Sequence, residues 1–138
     1  MNELYNNAKV SQALIPAQAT ATVTGPVVDT QGFEAIMFAI NIGAVTTADA
    51  SNYFTLKIQE GDASDLSDAA DVTNAARLLH AAAAVINDAT GDDNTTQKMG
   101  CTIGTKRYMR LVATETGTAD ATFGAVALLT GARHAPVS

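Results

Sequence analysis

The chain has 138 residues, of which 47% are hydrophobic but only 5% aromatic, with no Trp, a single Cys and a formal net charge of −6. That length suits one domain whose core is built from Val, Ile, Leu and a few Phe. The lone Cys101 excludes an internal disulfide framework, and an acidic surface repels the phosphates of nucleic acid. Taken in chain order, residues 1–15 read as a polar arm with scattered apolar anchors. The arm ends at Pro16, which disfavours helix in the residue before it. The opening "MNELYNNAKV" has no apolar core of the signal-peptide kind, so none is expected. "ATATVT", 19–24, alternates as a strand does, and Gly25-Pro26 marks a turn. Residues 27–35 read as an edge segment with a second turn at Gln31-Gly32.

"AIMFAINIGAV", 35–45, is a continuous apolar run and predicts a central strand buried on both faces. "YFTLKIQEG", 53–61, alternates cleanly, with Phe54, Leu56 and Ile58 facing one way and Thr55, Lys57 and Gln59 the other. Residues 62–79 combine turn chemistry with a helix-capable stretch and predict a short helix or loop. "HAAAAVIND", 80–88, fits helix by its Ala content and strand by its context. The Ala-rich stretch 75–86 is too short to span a bilayer and carries Arg77 and His80. Three strands close the pattern. Residues 96–104 carry a mid-strand Gly that predicts a bulge. In 106–116, Met109, Leu111 and Ala113 alternate with Tyr108, Arg110 and Val112. Residues 121–131 form a second apolar run after a hairpin loop at 117–120. The expectation is an all-β fold, a two-sheet β-sandwich of jelly-roll type with a short helical or loop insertion near 62–79. It spans residues 16–131 between the arm 1–15 and a tail 132–138.

Chemistry is sparse. No G-x-S-x-G, H-E-x-x-H or phosphate-loop motif occurs, and the two His residues are far apart, so no enzyme, cofactor or metal is expected. Asp62, Asp65, Asp68 and Asp71 recur every third residue, which on a helix would align their carboxylates as hard oxygen ligands. The order does not match a Ca²⁺-binding loop, and helix capping with a solvated acidic surface is the simpler account. Residues 1–97 hold 3 basic and 12 acidic side chains, net −9, while residues 98–138 hold 5 basic and 2 acidic, net +3. Such asymmetry permits head-to-tail stacking or seating on a charged scaffold. "TKRYMR", 105–110, puts Lys106, Tyr108 and Arg110 on one face, either as a patch for an acidic partner or as a wet strand pairing with the chain's own carboxylates.

"GTKRYMRLVAT…FGAVALLTGARHAPV" resembles a pattern in small structural proteins of tailed-bacteriophage and prophage heads. There a K-R-Y-x-R-[LV] strand is followed by an apolar strand and a closing R-H-x-P-V tail. "LKIQEGDASDLSDAADV", 56–72, is similar to their strand and acidic turn, so the resemblance covers roughly residues 53–137. It implies a capsid decoration (cement) protein that binds an icosahedral head and reinforces it. Its implied partners are the major capsid protein and its own copies as trimer or dimer, with no nucleic acid or membrane. Its implied place is the virion surface after synthesis in the host cytoplasm. The contact residues it implies are Lys106, Tyr108 and Arg110 on the strand, with Arg133, His134 and Pro136 in the tail. There Arg133 can grip a carboxylate and Pro136 stiffens an extended segment. The alternatives are a tail or head–tail connector subunit, or a Ca²⁺- or carbohydrate-binding sandwich module, against which the lack of Trp counts.

Overall fold

A computed structural model of the chain describes residues 3–80 and 83–132. A single turn of helix, α1 (Glu3–Asn7), precedes ten strands. These are β1 (Lys9–Ala19), β2 (Val23–Thr24), β3 (Val28–Asp29), β4 (Ala35–Thr47), β5 (Tyr53–Gly61), β6 (Ala70–Asp71), β7 (Val85–Ile86), β8 (Thr96–Thr102), β9 (Tyr108–Thr116) and β10 (Asp120–Thr130). They make two antiparallel sheets. One runs β1-β10-β4-β8; the other runs β2-β9-β5-β6, with β3 also on β9 and β7 also on β5. The pairings nest: β1 with β10, β2 and β3 with β9, β4 with β8, and β5 with β6 and β7.

The two-residue period of a strand puts every second side chain between the sheets. Ile36, Phe38, Ile40 and Ile42 of β4 and Phe123, Ala125, Ala127 and Leu129 of β10 face inward from one sheet. Phe54, Leu56 and Ile58 of β5 and Met109, Leu111 and Ala113 of β9 face them from the other. These residues form one continuous cluster. The Phe54 and Phe123 rings meet edge to face across it, with centroids 5.1 Å apart, a geometry that aromatic quadrupoles favour. Each large side chain buried here contributes roughly 1.5–3 kcal/mol.

Several expectations are corrected. Residues 9–15, read as part of an arm, belong to β1, where Ala13 and Leu14 are fully buried. Pro16 is tolerated because β1 is an edge strand and the register slips beside it, between Leu14 and Ala17; a missing N–H costs no ladder bond at such a place. The period-two stretch 19–24 is not one strand. It breaks after Ala19, where the chain leaves one sheet for the other. Gly25 then passes so close to the carbonyl oxygen of Ala13 that no side chain fits. β4 is central but buried on one face only: Met37 and Ala39 are half-buried and Asn41 is exposed. No bulge forms at Gly100, which pairs in register with Met37. A Cβ there would lie 2.8 Å from the Ile36 carbonyl oxygen. Residues 62–79 contain no helix. Tight turns lead into β6, and 75–77 form another turn. The ambiguous 80–88 contains β7.

Between β6 and β7 the chain leaves β5 and crosses the open side of the sandwich to β8. Leu78 pairs with Cys101, the Leu79 amide donates to Gly100 O at 2.8 Å, and the Thr102 amide donates to Arg77 O at 2.9 Å. This strap covers part of the β8 edge, an exposed row of backbone groups that would otherwise template aggregation. Glu60 is the next inward position of β5 after Ile58. Its carboxylate takes both Arg77 Nη atoms at 2.7 Å, and the same guanidinium donates to Thr102 O at 3.0 Å. One bidentate pair thus ties β5, the strap and β8 together.

Candidate interaction surface

Tyr108 and Arg110 lie on β9, whereas Lys106, expected on the same strand, precedes its first residue; Lys106 and Arg110 are both engaged with the chain itself. Lys106 Nζ is 2.6 Å from Asp62 Oδ2, and that hydrogen bond raises the lysine pKa. Arg107 grips Asp29 through Nε at 3.0 Å and Nη2 at 2.8 Å. Its guanidinium lies 5.1 Å from the Tyr108 ring centroid, and it holds the Asp29 carboxyl below its usual range. Arg110 Nε donates to Gln59 Oε1 at 2.8 Å, and Gln59 Nε2 donates to Asp71 Oδ1 at 2.9 Å. Together they make a polar ladder across β9, β5 and β6. Arg107, adjacent to the expected contact residues, was not singled out from sequence. Its signal was Asp29, 78 positions away, which only the β3–β9 pairing brings near. Arg133, His134 and Pro136 lie outside the described residues.

The aspartates expected to line one helix side diverge because no helix forms. Asp68 accepts the amides of Asp62 and Ala63, Asp65 the amide of Ser67. Asp62 pairs with Lys106, and Asp71 with Lys57 at 3.3 Å. Backbone amides hold Asp65 and Asp68 at lowered pKa, as expected for carboxylates that close turns. Among the described residues no three His, Cys, Asp or Glu side chains gather as a metal site. Cys101 is fully buried, and desolvation pushes its thiol up to about 11, so it packs as a small apolar residue. His80 Nδ1 lies 3.0 Å from Gly100 O and 3.2 Å from Gly100 N, at the strap edge.

The two outer faces differ in kind. On the β9–β5 side stand Thr55, Lys57, Gln59, Arg110 and Thr114, with a buried Val112 among them. On the β1-β10-β4-β8 side the rows across the sheet are Val10–Leu128–Met37–Gly100 and Gln12–Val126–Ala39–Lys98. Leu79 lies over Gly100. Val10, Val126 and Leu79 are 64%, 45% and 63% exposed. Beside them is a groove of about 430 Å³ lined by Gln12, Pro16, Ala39, Asn41, Thr122 and Val126, among others. Sequence reasoning missed this face because the apolar run 35–45 was taken as covered on both sides.

No family model matches the chain, and no curated protein does. Solved structures resemble it. The exported protein XepA of PBSX aligns with 98% of this chain at 17% identity and a TM-score of 0.54. The VP2 protein of the infectious bursal disease virus subviral particle aligns with 91% at 11% identity and a TM-score of 0.53. The chain spans 40% of the first and 32% of the second. The SPBc2 prophage-derived protein YomS matches 88% of this chain and 94% of its own length, at 12% identity and a TM-score of 0.49. At such identities the likeness to XepA and VP2 establishes the fold: a β-sandwich shared with proteins of prophage and viral origin.

Proposed function

We propose that this protein is a structural component of a bacteriophage or prophage particle, acting as a decoration (cement) protein on the head. The observation that carries the reading is the recurrence of the same sandwich, over nearly the whole chain, in a phage-derived protein and in the subunit of a virus particle. The resemblance of residues 53–137 to head proteins points the same way. The nested strand pairing favours a jelly roll, in which one long hairpin is rolled so that its pairs split between two sheets. Its function is making contacts rather than catalysis. Its partners are the major capsid protein and its own copies, and its place is the surface of the virion.

The residues offer two ways to grip a shell. α1 presents Leu4 and Tyr5 to solvent and buries no residue; a five-residue helix gains little from its own hydrogen bonds, so its order would be completed on a partner. The ladder of Lys57, Gln59, Arg110 and Asp71 supplies polar groups at fixed spacing. The test is to mix the purified chain with expanded shells of the major capsid protein from the same genome and sediment them. Saturable binding at a fixed ratio per subunit, with shells that then resist heat better, is expected. Absence of binding would overturn the head assignment in favour of a tail or connector subunit.

A further inference from the structure

We propose that the outer face of the β1-β10-β4-β8 sheet is a self-association surface, on which two copies of this chain pack face to face about a two-fold axis. The outer face of a solvated antiparallel sheet is ordinarily polar. Here its two central rows hold Val10, Leu128 and Met37, then Val126 and Ala39, with Leu79 closing the β8 side over Gly100.

Charge selects the occupant. Lys98 is the one charged side chain in these rows, and no acidic residue falls in them. The rest of the molecule carries the excess of carboxylates behind a net charge of −6. Two copies therefore repel through their other surfaces, and on this face they meet without opposing carboxylates. A basic partner would find no anion here, and an acidic one only a single lysine. With the two-fold axis between the sheets and parallel to the strands, β8 of one copy lies over β1 of the other, and the two Lys98 residues fall on opposite edges, about 14 Å apart at the usual strand spacing. That exceeds the screening length of about 8 Å at physiological salt.

The size is adequate. With the uncharged flanking rows Thr130–Ala35–Thr102 and Gly124–Asn41–Thr96, four strands at about 4.8 Å spacing and about eight residues at 3.3 Å rise give a footprint of about 500 Å² per copy. Both copies together reach about 1,000 Å², where specific association begins. A reversible dimer follows, with sheets about 10 Å apart as in other sheet-on-sheet packings. This inference does not depend on the capsid assignment and is tested without shells.

The experiment is sedimentation velocity on the full chain from about 1 to 200 µM, the range a small reversible interface occupies. The variants are Val126→Asp, Val10→Asp and Val126→Ser, with Thr55→Asp on the opposite sheet as control and thermal melts of each. The wild type is expected to double in mass with concentration. Both Asp variants should raise the dissociation constant about 30-fold or more, since each strands a carboxylate against apolar side chains, and at Val126, on an inner strand beside the axis, the two new charges also oppose each other. Val126→Ser should weaken it less, and Thr55→Asp should leave it unchanged. A wild type that stays at the mass of one chain overturns the proposal. So does a dimer that survives both Asp variants, or one broken only by Thr55→Asp. If an Asp variant melts early, Val126→Ser decides: unchanged association overturns the proposal.

Discussion

Replacing Arg77 with Met keeps an unbranched apolar stem and removes the charge and the donors. What remains is a Glu60 carboxylate only 14% exposed, facing the seam between the sheets, and a Thr102 carbonyl without its guanidinium. Exposed ion pairs contribute about 0.2–1 kcal/mol, whereas breaking a fully buried pair costs about 3–5 kcal/mol because the surviving charge is stranded. Arg77 is 21% exposed and the pair is bidentate at 2.7 Å on both arms, so the buried case is the nearer one. Arg77→Met is expected to cost about 3 kcal/mol. Equilibrium urea unfolding followed by far-ultraviolet circular dichroism measures it. With a urea slope of about 2 kcal/mol per molar, the midpoint falls by about 1.5 M. Glu60→Gln in the Arg77→Met background should recover part of the loss, since the stranded charge is gone, giving a coupling of about 2 kcal/mol. A single-variant loss below about 0.5 kcal/mol, or strict additivity in the double variant, would refute the picture of a strap clamped by a desolvated pair.

Gly25→Ala drives a Cβ into the Ala13 carbonyl oxygen and to 2.8 Å from that of Leu111; neither backbone group can retreat, so a loss of about 3 kcal/mol is expected in the same unfolding assay. Lys106→Ala breaks an ion pair whose partners are 42% and 61% exposed and should change stability by less than about 0.5 kcal/mol, which a thermal melt resolves. Cys101, buried with its thiol pushed up to about 11 from 9.0, should react with a disulfide reagent at pH 8 at least about 100-fold more slowly in the folded chain than in denaturant; equal rates would mean β8 opens readily. The lowered pKa values of Asp29, Asp49, Asp65, Asp68, Asp71 and Asp88 fix the sign of the acid response. A depressed folded pKa means that the folded chain binds fewer protons than the unfolded one. The stabilisation is therefore complete above the unfolded value of 3.8 and is lost as pH falls through the folded values. Melting temperature should be flat from pH 7 to about 5 and fall below about 4.

Where local pattern and global placement agree, the sequence was a sufficient guide. The alternation of Phe54, Leu56 and Ile58, and of Met109, Leu111 and Ala113, identified two central strands and their inner faces. A period of two admits one arrangement when one side must be dry. Turn chemistry at Gln31-Gly32 was equally legible, with Gly32 at a φ of 90°. The aspartates at 62–71 were recognisable as turn-formers, although their spacing also fitted a helix.

Other features depend on distance in sequence. The charge asymmetry between residues 1–97 and 98–138 does not by itself say which charges meet in the fold. Nesting the strands pairs Arg107 with Asp29 and Lys106 with Asp62, so two basic residues of the last third meet carboxylates far back in the chain. Arg77 and Glu60 lie 17 residues apart, and no local rule joins them; only the strap's crossing from β5 to β8 does. The apolar run 35–45 announced a strand but not what lies on each side of it. Local pattern reports that a side chain prefers to leave water, whereas which surface takes it in is decided by the layers that pack. In this chain one layer was supplied for the inner face of β4. Its outer face, with Met37 and Ala39 beside Val126 and Leu128, has no layer packed on it.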